Sequence, residues 1–227
     1  MSPPDARRPL TIAHRAGNDL AALAESFAAG VDYAEADVWL YRGRLEVRHD
    51  KTAGPLPFLW ERWSLKPAWT PRLLLREVLA EAAGKGRLFI DLKGQADALV
   101  EKVAAAVSAS GAEESVAFST PEWSHLDRIA KLLPQAPLFY TIGSLARLEE
   151  RRPRLQQGAI TALSVQSRIL TAELVSEFRE MGVNTIVTWG IETADDAQRV
   201  LEWGVSGVTS RNLSLLVSLH ADEVPRD

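Results

Sequence analysis

A chain of 227 residues with 46% hydrophobic content holds enough apolar material for one large domain or two small ones with a buried core. Its formal net charge of -4 leaves no basic footprint, which argues against general nucleic-acid binding. There is no cysteine, so disulfides and thiolate metal sites are excluded and any bound metal must use oxygen or imidazole ligands.

The first residues, MSPPDARRP, carry positive charge without the apolar stretch of a secretory signal. No segment approaches the roughly 18 apolar residues of a membrane span, so a soluble, cytoplasmic protein with no stable membrane insertion is expected. Residues 1–9 and 221–227 are expected to be flexible tails. LTIAH (10–14) predicts a first strand, and the run from Ala21 to Ala29, stopped by Gly30, predicts a helix. DYAEADVWL (32–40) predicts a second strand, which a turn at Arg42-Gly43-Arg44 folds back onto a short arm, RLEVRH (44–49).

The next stretch, GPLPFLWERWSLKPAWTPRLLL (54–75), holds Trp60, Trp63, Trp69 and four prolines and reads as a long loop. Its tryptophans suit either an aromatic lid over a lipid tail or bulky alcohol, or packing on the rim or against a partner subunit. Strands follow at RLFIDLK (87–93), SVAFS (115–119), PLFYTI (137–142), AITALSV (159–165), NTIVTW (184–189) and VSGVTS (205–210), with helical patterns between them. Helices at Thr171–Met181 and Thr193–Trp203 each open on a threonine and stop at a glycine. The cluster Glu149, Glu150, Arg151, Arg152, Arg154 reads as a solvated helix end. His125 and His220 read as surface residues.

EFREMGVNTIVTW and RVLEWGVSGVTS repeat one pattern of helix, glycine and strand, the βα unit of a parallel sheet. With 44–49 set aside as a hairpin arm, eight strands remain, most of them followed by a helix. The fold class is therefore α/β: one (β/α)8 TIM-type barrel over residues 1–227, with a small hairpin insertion after strand 2. An open doubly wound sheet is the alternative, but no Gly-x-Gly-x-x-Gly follows a strand to support a dinucleotide version.

Active sites of such barrels gather at the C-terminal ends of the strands, and here those ends are rich in ionisable groups. The first ends at His14-Arg15, the second carries Glu35 and Asp37, its hairpin arm ends at His49-Asp50, and the third strand ends in Asp91-Leu92-Lys93. Residues two apart on a strand share a face, so Glu35 and Asp37 repel each other unless positive charge lies between them. Glu35, Asp37 and Asp91 form an oxygen-rich cage suited to one divalent cation, Mg²⁺ or Ca²⁺. Arg15 and Lys93 suit a phosphate. His14 and His49 suit a general acid–base pair. Together they point to cleavage of a small-molecule phosphodiester. Trp189, at a strand end, either stacks on a substrate or is a core aromatic.

His14-Arg15, Glu35-x-Asp37, His49-Asp50 and Asp91-x-Lys93, in this order and spacing, resemble the glycerophosphodiester phosphodiesterase family. The phrase AESFAAGVDYAEADVWLYRGRLEVRHD resembles that family's signature, with weaker likeness downstream at Phe118-Ser119, Trp189 and GVSGVTS. The resemblance implies a TIM-type barrel that hydrolyses glycerophosphodiesters to glycerol 3-phosphate and an alcohol with a bound Mg²⁺ or Ca²⁺. It implies His14 and His49 as the acid–base pair, Glu35, Asp37 and Asp91 as metal ligands, and Arg15 and Lys93 as phosphate ligands. It also implies attack on phosphorus by the substrate's neighbouring glycerol hydroxyl.

The chain departs from the family at Ala16, with Gly17 one place late, and at a first loop contracted to Gly17-Asn18-Asp19. It departs again at Asp91, where a glutamate is usual, and at Gly190-Ile191-Glu192 and Ser210. A lysophospholipase D or sphingomyelinase D-like activity is the neighbouring reading, and a phosphate-binding barrel with a decayed site is the non-enzymatic one. The sequence leaves the oligomeric state open.

Overall fold

The computed structural model describes residues 8–52, 58–61, 64–67 and 71–221. Strand β1 (Leu10–Ala13) leads through a short 3₁₀ turn (Ala16–Asn18) to α1 (Leu20–Ala28) and then to β2 (Tyr33–Tyr41). An excursion follows through β3 (Arg44–Val47), β4 (Lys51–Thr52), β5 (Phe58–Glu61), β6 (Ser64–Pro67) and β7 (Leu73–Leu74). The chain then alternates through α2 (Leu75–Ala82), β8 (Leu88–Lys93), α3 (Leu99–Ser110), β9 (Val116–Thr120), α4 (Trp123–Leu132) and β10 (Leu138–Ile142). It finishes with α5 (Leu145–Leu155), β11 (Ala162–Gln166), α6 (Ala172–Glu180), β12 (Thr185–Trp189), α7 (Ala194–Glu202), β13 (Gly207–Ser210) and α8 (Leu213–Ala221).

Eight parallel strands close in the order β1-β2-β8-β9-β10-β11-β12-β13, and β13 pairs back onto β1. This is the expected barrel, with a helix after every strand. The excursion after β2 is larger than the expected hairpin. Arg42 (φ 47°) and Gly43 (φ 79°) form a two-residue turn with both residues left-handed, the geometry that sends β3 back antiparallel along β2. Beyond it β4, β5 and β6 make a small antiparallel sheet of their own where the sequence suggested a loop, and Leu59 is buried. The side chains of Trp60, Trp63 and Trp69, on which the lid reading turned, lie outside the described residues.

Strand alternation sorts the core into two layers. Even positions of β2 and β8 (Ala34, Ala36, Val38; Leu88, Ile90, Leu92) face the helices and join the large outer core. Odd positions face inward, and the lower barrel is plugged by Ile12, Tyr33, Phe89, Ala117, Phe139 and Val187. Phe89 sits with its ring 5.0 Å from that of Phe139 and 6.0 Å from that of Tyr33. Each buried aromatic of this kind contributes on the order of 2 kcal/mol.

Helix starts follow local chemistry. Thr171 and Thr193 cap α6 and α7 as expected, accepting from Leu174 N and Asp196 N. Asp19 caps α1 through Ala21 N and Ala22 N, so that helix begins at Leu20. Two histidines differ from their expected surface positions. His125 is buried on α4, as are Trp123, Leu126 and Ile129. His220 is half-buried and bonds Thr11 Oγ1 at 2.8 Å, joining a clasp on Asp32 at the foot of the barrel. Asp32 also accepts from Thr11 N (2.9 Å) and Arg8 (2.9 Å), which anchors Arg8 within the expected N-terminal tail. Among the described residues no helix is long and apolar enough to cross a membrane.

Candidate active site

The inward positions change character toward the C-terminal ends of the strands. On β2 they run Tyr33, Glu35, Asp37, and on β8 they run Phe89, Asp91, Lys93. Parallel register sets Glu35 beside Phe89 and Asp37 beside Asp91. Single ligand atoms of Glu35, Asp37 and Asp91 can be chosen that all lie within 4.8 Å of one another. Lys93 reaches back between the aspartates, 2.8 Å from Asp37 Oδ1 and in direct contact with Asp91.

The loop after β1 folds over this cluster. Gly17 lies against β2 so closely that a Cβ would fall 2.7 Å from the Ala36 Cβ and 3.0 Å from the Glu35 carbonyl. A glycine one place later than the family pattern is therefore what this loop's path requires. Asn18 clamps Asp37 twice, donating from Nδ2 to the carboxylate (2.7 Å) and accepting from the Asp37 N–H (2.9 Å). Arg15 is left-handed (φ 62°), a conformation that costs a non-glycine residue on the order of 1 kcal/mol. In return its N–H donates to Glu35 Oε2 at 2.6 Å, and its guanidinium donates to His49 Nε2.

His49 follows β3, just past a rigid brace. Arg48 is buried with Glu46 (Nε to Oε2, 2.9 Å), lies 5.0 Å over the Trp39 ring, and donates to the Asp50 carbonyl. Trp39 Nε1 in turn donates to the Arg48 carbonyl at 3.0 Å. These bonds fix the backbone on both sides of His49. His14 leaves the end of β1, its N–H held by the Ser210 carbonyl at 2.8 Å.

Burial and like charge set the protonation of the cluster. Glu35 is pushed well above the usual carboxylate range by burial and then by the Asp37 charge, with Lys93 opposing. Burial also raises Asp91, and Lys93 offsets this only in part. For Asp37 burial is outweighed by Lys93 and the Asn18 bond, so it stays ionised below its ordinary value. Burial alone would lower Lys93, but the three carboxylates win and raise it. His14 is lowered to about 4, by burial and then by Arg15.

One ammonium against three carboxylates leaves the cluster short of positive charge. Ser119 lies close enough to lower Asp91 slightly, yet Asp91 Oδ1 is buried with no formed hydrogen bond. A buried acceptor left in this state is costly, and a hard cation is what such an oxygen set accommodates. The donor set thus fits a divalent metal.

Above the cluster opens a cavity of about 460 Å³. The structure brings His14, Arg15, Glu35, His49, Asp91, Lys93 and Trp189 together in its lining, with Asp37 buried beneath. Trp189 is half-buried and lies beside Gly143, both lining the cavity. Ser119, Thr141, Ser164 and Thr209 complete the wall, each two residues on from an inward-facing position lower in its strand. Arg147 and Arg151 line it as well, so Arg151 is not part of a merely solvated helix end. Sequence reasoning missed Arg147 and the clamp role of Asn18. The strand-end alternation could have exposed the wall hydroxyls, whereas no local signal marks a helix arginine that bends into a barrel mouth.

No family model matches the sequence, and no curated protein matches it. Solved structures do. A Silicibacter pomeroyi protein described as a candidate glycerophosphoryl diester phosphodiesterase superposes with a TM-score of 0.79 at 18% identity, over 96% of this chain and 95% of that one. A glycerophosphodiester phosphodiesterase from Parabacteroides distasonis gives 0.72 at 19% identity, over 95% and 99%. A phosphodiesterase from Oleispira antarctica, in complex with the product sn-glycerol-3-phosphate, gives 0.72 at 18%, over 94% and 97%. At this identity the likeness is one of fold, and it spans both chains almost end to end.

Proposed function

We propose that this chain is a phosphoric diester hydrolase that cleaves glycerophosphodiesters to glycerol 3-phosphate and an alcohol with the help of a bound Mg²⁺ or Ca²⁺. The observation that carries the reading is the convergence of two histidines, two cations and three carboxylates in and under one cavity at the C-terminal mouth of the barrel. The fold neighbours named above, one of them holding sn-glycerol-3-phosphate, support the substrate class.

Glu35, Asp37 and Asp91 would hold the metal, which when bound supplies Lewis-acid stabilisation of negative charge on the phosphoryl oxygens. Arg15 and Lys93 bind and orient the phosphate. His14, kept neutral at pH 7 by its low pKa, accepts the proton of the glycerol hydroxyl as that oxygen attacks phosphorus. His49 enters as the imidazolium, its Nε2 protonated once Arg15 has turned from it to the phosphate, and protonates the departing alcohol as its P–O bond breaks. Water then opens the cyclic phosphate: His49 takes a proton from the water, and His14 returns its proton to the glycerol oxygen. Both histidines end as they began, and no protein nucleophile is consumed. The buried brace at Arg48 keeps the backbone around His49 in place through both steps.

The test is hydrolysis of glycerophosphoglycerol by wild type and His14→Ala, with and without EDTA, following release of glycerol 3-phosphate. Activity confined to metal-replete wild type is expected. Activity that survives both EDTA and His14→Ala would overturn the mechanism.

A further inference from the structure

Two arginines of α5 line the cavity without a part in the chemistry described above. In the closed ring of eight strands β10 is four places from β1 in either direction, so α5, which follows β10, stands across the mouth from His14 and Arg15. Arg147 sits in its first turn and Arg151 one turn later, on the same helical face. Both reach the cavity that holds Asp91 and Lys93.

Arg151 is held there by an aromatic support. Its guanidinium carbon lies 5.3 Å from the centroid of the Trp123 ring. Trp123 is itself fixed: it is 1% exposed, its Nε1 donates to the Thr141 carbonyl at 3.1 Å, and Tyr140 meets it edge-on at 5.1 Å. A guanidinium stacked on an immobile ring has already lost much of its rotamer freedom, so it binds an anion at lower entropic cost. The carboxylate these arginines share is Glu150, at 2.8 Å from Arg147 and 3.4 Å from Arg151. Glu150 is half exposed, and an ion pair of that kind is worth little and yields readily to a better-placed anion.

We propose, resting on the function above, that Arg147 and Arg151 form a subsite for an anionic leaving alcohol. The preferred substrates are then glycerophosphodiesters whose alcohol bears a second phosphate or a carboxylate. The phosphodiester itself is served by Arg15 on the opposite wall and by Lys93 on β8, two strands from β10, and a glycerol moiety offers only neutral hydroxyls. The far side of the mouth therefore has positive charge to spare, and the leaving alcohol is the part of the substrate with charge to match it. A 460 Å³ cavity is large enough for both ends of such a diester.

The test uses three ligands on one scaffold: glycerophosphoglycerol, its analogue with a terminal phosphate on the leaving glycerol, and its analogue with glycerate as the leaving group. Binding to the metal-loaded protein is read by calorimetry, and kcat/KM is read separately. Wild type is expected to bind at least one anionic ligand about tenfold or more tighter than the neutral one. In Arg147→Ala/Arg151→Ala that ratio falls to near one, and Arg151→Lys, which keeps charge but stacks poorly, is intermediate. The tighter of the two anionic ligands identifies phosphate or carboxylate. Equal binding of all three by wild type, or a ratio unchanged in the double variant, overturns the subsite. An equal loss for all three ligands is general damage and also counts against it. Absence of turnover with the binding ratio intact would instead defeat the hydrolase reading and leave the subsite standing.

Discussion

The foot and the mouth of the barrel are built on the same strands with the same two-residue alternation, yet their chemistry is opposite. At the foot, Tyr33, Phe89 and Phe139 fill the interior, and an acid, Asp32, is met by Arg8, Thr11, Arg87 and His220. One step up, the inward positions become Glu35, Asp37 and Asp91, and their charges are met only in part. The foot spends its residues on closure and satisfied bonds. The mouth stores like charge that a ligand must complete. Stability and chemistry are thus separated along the strand axis by about two residues.

Substitutions can break this division from either side. The largest effect is expected at the mouth: His14→Ala or His49→Ala should each lower kcat by about 10²- to 10⁴-fold while the melting temperature barely moves. A loss below tenfold in steady-state assays would remove that histidine from the mechanism. At the foot the effect should be inverted. Phe139→Ala should cost about 3–5 kcal/mol in denaturant unfolding, with kcat of the folded fraction within a few-fold of wild type. A selective loss of kcat there would mean that the two regions are coupled. Asn18→Ala tests the support of the mouth itself. Losing both bonds to Asp37 should weaken divalent-ion affinity by about tenfold or more, read by titration calorimetry.

Much of this division was legible in the sequence. The repeated helix-glycine-strand phrases carry the barrel because each βα unit must bury a strand and one helix face. Glu35, Asp37, Asp91 and Lys93 were legible because strand periodicity puts each pair on one face, and His14, Arg15 and His49 because they sit at strand ends in an order and spacing that resemble a known family. What was hidden depends on tertiary paths that no local pattern encodes. His125 looks like any helix-surface histidine until the packed fold buries it. His220 becomes a foot residue only when the last helix returns to β1. Arg151 looks solvated unless Trp123, 28 positions earlier, is known to lie beneath it. The extent of the β3–β7 excursion was masked by its prolines and tryptophans, which read as a loop but leave room for short antiparallel strands.

The smallest expected effect bears most directly on the claim that the carboxylates form a cage costly when empty of metal. Glu35 has a pKa raised in the folded protein above the ordinary value of 4.5, so between that value and the raised one the folded chain holds a proton that the unfolded chain has released. Its contribution to stability is therefore present at low pH and lost as pH rises through the raised value. Glu35→Gln removes that loss. In EDTA the variant should be more stable than wild type by on the order of 1 kcal/mol at neutral pH, with the gap widening as pH rises toward the raised value and constant above it. Excess Mg²⁺ or Ca²⁺ should reverse the order by stabilising wild type alone. The decisive measurement is this pair of thermal unfolding curves, with chelator and with metal, across pH. The two proteins are expected to exchange rank when metal is added; a wild type that is the more stable in EDTA and indifferent to both ions would refute the metal cage.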